Sequence, residues 1–178
     1  MRCSNQRRKK REIAGIQNCR DRLVIGQLAL PIRQNGADRL KYDTLGHSYA
    51  FRISGEVFTQ NGIGARDGVA MTTFDGNGGL THVDWVMANG AIVPGPTNSY
   101  GFYDETGSYT VNPDCTGTAQ INFPIPPHGT SGAVIQLMFV IVDGGRTIHT
   151  IVNSLTPPNT TTPVPANIHS DAVKVSPF

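Results

Sequence analysis

The strongest constraint on this chain is a succession of short β-prone runs separated by tight-turn chemistry. From His47 onward the runs fall at about 47–59, 67–74, 79–88, 99–111, 117–124, 132–143, 145–153 and 167–175. Eight runs at such spacing predict an all-β fold, an antiparallel barrel of about eight strands. The turns between them have physical causes. Asp75-Gly76-Asn77-Gly78-Gly79, Asn89-Gly90 and Asp143-Gly144-Gly145 are rich in residues that tolerate positive φ. The Asp143 turn is so short that the strands it joins must be antiparallel neighbours. Pro94, Pro96, Pro124, Pro126 and Pro127 lie between runs, where a missing N–H costs no ladder bond.

Charge divides the chain in two. Residues 1–41 hold eleven basic and three acidic residues, whereas 42–178 hold four and ten. The expected organisation is a basic leader, disordered or targeting-like, over 1–41, and a barrel domain over 42–178. Gln6-Arg7-Arg8-Lys9-Lys10-Arg11 carries no interleaved aromatics, so no base-stacking platform and no nucleic-acid partner is expected. The apolar stretch from Leu23 to Pro31 is short and follows Asp21-Arg22, a poor secretory signal. A cytoplasmic location is favoured, with secretion left open. No apolar run reaches the roughly 18 residues of a membrane span. The three cysteines, Cys3, Cys19 and Cys115, show no metal spacing, and Cys115 sits in turn chemistry, so a structural or incidental role is expected of it.

Chemistry-bearing residues are few. Gly62-Ile63-Gly64 lacks the third glycine of a dinucleotide loop and reads as a turn or bulge. No cofactor and no metal is expected. His82 and Asp84 share one strand face and have the makings of an acid–base pair or two metal ligands, but the simpler reading puts them on a solvated outer face. Arg66 and Asp67 read as a surface pair. The lumen is then assigned the more aromatic faces, with Tyr49, Phe51, Trp85, Met87 and Phe139 as substrate-binding residues. A bulge at Ser54-Gly55 would turn Glu56 inward, where burial would raise its pKa. Glu56 and His149 are the candidate catalytic groups, as acid and as acid or base. The run 133–142 is apolar on both faces, Ile135, Leu137, Phe139 and Ile141 against Met138, Val140 and Val142. That predicts a covered outer face and a homo-oligomer, trimer or dimer.

Several strings carry a family resemblance: Gly64-Ala65-Arg66-Asp67-Gly68-Val69-Ala70, Thr73-Phe74-Asp75-Gly76-Asn77-Gly78, Asn89-Gly90, the stretch from Gly107 to Ala119, and Phe139-Val140-Ile141-Val142-Asp143-Gly144-Gly145-Arg146. Over roughly residues 46–153 the chain resembles uncharacterised microbial proteins with an allene oxide cyclase-like barrel of the dirigent/calycin type. The resemblance implies an eight-stranded antiparallel barrel that often trimerises. It also implies an apolar substrate held in one conformation while a ring closes or a coupling is steered. No catalytic residue of the plant cyclases maps onto a position here. The Thr- and Pro-rich stretch from Leu155 to Pro165 departs from a compact hairpin and leaves the last strand's register open.

Two functions follow from the same scaffold. One is a cyclase or isomerase of a lipid-, polyketide- or terpenoid-like substrate, working by conformational control with few charged groups. The other is a non-catalytic ligand-binding or secreted surface protein. An apolar small molecule is the expected partner in both.

Overall fold

The computed structural model describes residues 45–93, 95–126 and 129–175. Nine strands alternate with turns: β1 Ser48–Thr59, β2 Gly62–Phe74, β3 Gly79–Ala88, β4 Ala91–Ile92, β5 Tyr103–Val111, β6 Thr116–Asn122, β7 Val134–Val142, β8 Thr147–Thr156 and β9 Ala166–Lys174. All pairings are antiparallel. The sheet runs β2-β1-β9-β8-β7-β6-β5-β3-β4, and β2 also pairs with β3. That last pairing closes eight strands into an up-and-down barrel, and leaves the two-residue β4 as an appendage of β3. Closure removes the unpaired sheet edges that an open arrangement would expose. Among the described residues no helix is long and apolar enough to cross a membrane. The leader expected over 1–41 lies outside the described residues.

The expected runs match these strands closely, with instructive differences. β2 starts at Gly62, five residues before the expected strand, because Gly62-Ile63-Gly64 pairs with Thr59, Phe58 and Val57 rather than turning. The expected bulge at Ser54-Gly55 does not form: β1 keeps register with β2 from Ser48 to Thr59. Gly55 instead lets β9 approach, since a Cβ there would run into the backbone of Asn167 and Ile168. The one register shift lies between β7 and β8, where Gln136 pairs with Ser154 and Leu137 with Val152. β9 is fixed on both sides, against β1 and β8, which settles its register.

The turns behave as their residues dictate. Asp75 Oδ1 accepts bonds from the N–H of Asn77 (2.7 Å) and Gly79 (2.9 Å). Asn89, Gly90, Asp143, Gly144 and Gly145 all have positive φ. In the Asn112–Thr116 turn the positive φ falls on Cys115, and not on Gly117. Gly117 is needed for packing, because a Cβ would collide with the Phe139 ring. Cys115 packs against the core at this end, as a structural cysteine does.

Inside, Leu45, Tyr49, Tyr109, Val111, Ile141 and Ala172 fill one end of the barrel, and Phe74, Leu80 and Ile148 close it off from the rest of the lumen. Phe74 sits edge-on between Tyr49 (ring centroids 5.7 Å) and Tyr109 (4.9 Å). The Tyr49 hydroxyl donates to the Gly145 carbonyl at 2.5 Å, tying the aromatic cluster to the Asp143 turn. Outside, Met138, Val140 and Ile151 stay 42–52% exposed, an apolar stripe across β7 and β8.

Candidate functional site

The other end of the lumen is hollow. A cavity of about 470 Å³ opens there, walled by aliphatic side chains such as Ile53, Val57, Val86, Ile135, Leu137 and Ile168. Its rim carries Pro96, Pro124, Pro126, Pro157 and Pro158 from three connections. The 157–165 segment, which departs from a plain hairpin, folds back over the rim. Val164 bonds to Leu155 (2.8 Å), and Asn159 Oδ1 accepts the Thr130 N–H (2.6 Å).

Three titratable side chains meet in the wall. His82 and Asp84 alternate inward on β3, and Glu105 stands opposite His82 on β5. They are 6%, 3% and 3% exposed. A 2.7 Å hydrogen bond joins His82 Nδ1 to Thr72 Oγ1 and fixes the ring. Its Nε2 then lies 3.6 Å from Glu105 Oε2 and 3.9 Å from Asp84 Oδ2. Burial holds His82 down at about 4 and raises Asp84. Burial, reinforced by the Asp84 charge, pushes Glu105 up to about 9. Near neutrality the metal-free cluster therefore holds a neutral imidazole and a proton shared by the hydrogen-bonded Asp84 and Glu105 carboxyls. Beyond that mutual bond, Asp84 Oδ1 and both Glu105 oxygens have no hydrogen-bond partner. His82 and Asp84 reach the cavity, as do Arg66, Thr72 and the Thr150–Ser170 hydroxyl pair (2.6 Å).

The structure redistributes the residues expected from sequence. Tyr49, Phe51 and Phe139 do point inward; Phe51 and Phe139 line the cavity, and Tyr49 belongs to the filled end. Trp85 and Met87 do not line the cavity. They lie on the outer face of β3, where Trp85 stacks on Tyr103 (6.2 Å) and meets Phe102 (6.3 Å) edge-on, and Met87 pairs with Ile92 of β4. That local cover made the outer face as apolar as the inner one. Glu56 is exposed because the unbulged strand keeps it outward. His149 is half-exposed on the outside of β8, hydrogen-bonded to Asp171 (2.5 Å). His82 and Asp84, expected on a solvated face, are the buried ones. Arg66 and Asp67 are neighbours in one strand and so point to opposite faces, Arg66 into the cavity. Glu105 was absent from the sequence candidates, yet β5 signals it. Tyr103, Glu105, Tyr109 and Val111 share a parity, against Asp104, Thr106, Ser108 and Thr110. An acid on the apolar parity is the mark of a buried carboxyl.

The class this fold and cavity define is a hollow up-and-down β-barrel, filled at one end and open at the other. No family model and no curated protein matches the chain. Among solved structures, the S-type phycobiliprotein lyase of Guillardia theta is similar at a TM-score of 0.42 and 8% identity, over 83% of this chain and 100% of that one.

Proposed function

We propose that the barrel binds a small, largely apolar molecule through its open end, with an oxygen-bearing group of the ligand set against His82 and Asp84. The observation that carries this is the cavity itself: one end of the lumen is left empty, with apolar walls and a few converging polar groups. Its volume of about 470 Å³ falls in the range of small-molecule pockets. Arg66 at the cavity wall suits a ligand with an acidic end.

The finer reading is a cyclase or isomerase acting by conformational control on a lipid-, polyketide- or terpenoid-like substrate. Buried ionisable groups favour it over passive storage, because an apolar cargo needs none and burying them is costly. The test is displacement of an environment-sensitive apolar dye by long-chain acids and terpenoids, followed by recovery of the displacing compound. Dye binding in the native barrel and its loss in Leu137→Trp are expected. A native barrel that binds no dye would overturn the ligand reading. Compounds recovered unchanged would leave a carrier and remove the cyclase.

Self-association belongs to the same proposal. The exposed stripe of Met138, Val140 and Ile151 is a face for a second copy. Light scattering that finds only monomer at high micromolar concentration removes it.

A further inference from the structure

His82, Asp84 and Glu105 bring a nitrogen and two carboxylates together in a dry wall. One donor atom from each lies within 4.8 Å of the other two. We propose that these three side chains bind one first-row divalent transition ion, Zn²⁺ foremost, with a coordination position left open toward the cavity. The ion site rests on the cavity reading only for that open position.

Three observations support it independently of one another. The first is spacing. Tetrahedral Zn²⁺ with bonds of about 2.0–2.2 Å sets neighbouring donors about 3.3–3.5 Å apart. His82 Nε2 already lies 3.6 Å from Glu105 Oε2 and 3.9 Å from Asp84 Oδ2, so these two edges need close by only a few tenths of an ångström, and the two carboxylates, within 4.8 Å of each other, have to draw together on the ion. The second is orientation. Thr72 Oγ1 holds His82 Nδ1 at 2.7 Å. With the proton on Nδ1 and donated to that hydroxyl, Nε2 keeps its lone pair for the ion, the usual outer support of a metal-bound histidine. The third is the orphaned acceptors. Apart from the bond that a proton shared between the two carboxyls makes, Asp84 Oδ1 and both Glu105 oxygens are buried without a hydrogen-bond partner, and buried acceptors in a native fold ordinarily have one. A cation satisfies them and cancels the charge at once.

The donor set also selects the ion. Mixed imidazole and carboxylate ligation suits Zn²⁺, Co²⁺ or Mn²⁺. Mg²⁺ and Ca²⁺ want six or more oxygens, mostly water or carboxylate, which an aliphatic wall does not supply. Glu105 lies behind His82 and Asp84, so the open position faces the lumen between those two. An ion there would polarise a ligand carbonyl or hydroxyl as a Lewis acid.

The test uses the full chain without a histidine tag, stripped with chelator and dialysed. Elemental analysis after Zn²⁺ addition and gel filtration should give one equivalent. Thermal melting should rise with Zn²⁺ and Co²⁺ and stay unchanged with Mg²⁺, and the Co²⁺ form should show visible d–d absorption. Asp84→Asn and Glu105→Gln keep shape and should each weaken binding about 100-fold or more, and Thr72→Val by about 10–100-fold. His149→Ala, on the outer surface, should bind as the native chain does. Circular dichroism of each variant confirms that it is folded. No stoichiometric ion in the native chain, or binding that survives both carboxylate changes, overturns the inference. The apolar dye is run on the stripped protein in parallel. Dye binding without ion binding sinks the metal site alone. Ion binding without dye binding supports the metal site and sinks the ligand reading.

Discussion

The two ends of the lumen are built from the same eight strands and end up opposite in character. At the filled end the connections are tight: Asp75–Gly78, Asn112–Cys115 and Asp143–Arg146. Large rings interlock there, and at the border with the cavity Gly117 gives up its side chain so that Phe139 can fit. At the hollow end the β1–β2 turn is tight, but the other three connections are longer and carry Pro96, Pro124, Pro126, Pro157, Pro158, Pro163 and Pro165. The inward residues there are mostly branched aliphatics, with Thr150 and Ser170 among them. Short turns draw strands together over bulky side chains, whereas proline-stiffened loops hold a rim apart. Large-ring packing is concentrated at one end, and the empty space lies at the other.

The largest effect should come from the filled end. Phe74 is 5% exposed between Tyr49 and Tyr109. Phe74→Ala removes a ring that its neighbours cannot replace and should cost about 3–5 kcal/mol. Urea denaturation measures it. A loss below about 1 kcal/mol would mean that this end is not the packed one.

Much of this division can be read from sequence, and the part that cannot has a clear cause. Strand runs and turns were legible because Asp75–Gly79, Asn89-Gly90 and Asp143–Gly145 act locally through φ and short hydrogen bonds. A closed antiparallel barrel was legible from strand count and turns, whereas the pairing of its last strand was not. The site was largely illegible. β3 has an apolar outer parity, Val83, Trp85 and Met87, because β4 and the loop bearing Phe102 cover it. Aromatic content therefore pointed away from the lumen, and took His82 and Asp84 with it. Glu56 depended on a bulge that β9's close approach to Gly55 made unnecessary. Only β5, where Glu105 breaks a clean alternation, carried its own signal.

The second effect lies at the cavity wall. In metal-free protein Glu105 holds its proton up to about 9 when folded, against 4.5 as the ordinary value. Between those limits the folded state binds more protons than the unfolded one, so stability falls as pH rises. Thermal melting from pH 7 to 9, above the range in which the lowered His82 acts in the opposite direction, should show this decline, and Glu105→Gln should flatten it. A native chain whose stability climbs with pH over that range would place the carboxyl in water.

The third effect sets Leu137 against Ile141. Both point inward from β7, four residues apart, Leu137 into the cavity and Ile141 into the filled end. Tryptophan at 141 has nowhere to go and should cost about 1–3 kcal/mol. Tryptophan at 137 enters empty space and should cost less than about 1 kcal/mol while abolishing dye binding. Equal costs at the two positions would erase the difference between the ends.

The smallest effect concerns a residue that belongs to neither end. His149 has the chemistry of a catalytic group, and its Nδ1 lies 2.5 Å from Asp171 Oδ1. Both side chains are well exposed, 50% and 71%, on the outside of paired strands. Water screens such a pair, and holding it together gains little, about 0–1 kcal/mol. Its ring faces solvent, while its neighbours Ile148 and Thr150 take the inward positions. His149→Ala should shift stability by less than about 0.5 kcal/mol and leave dye and ion binding unchanged. A substantial loss of either would carry the chemistry across the barrel wall, and the cavity around His82 would no longer account for it alone.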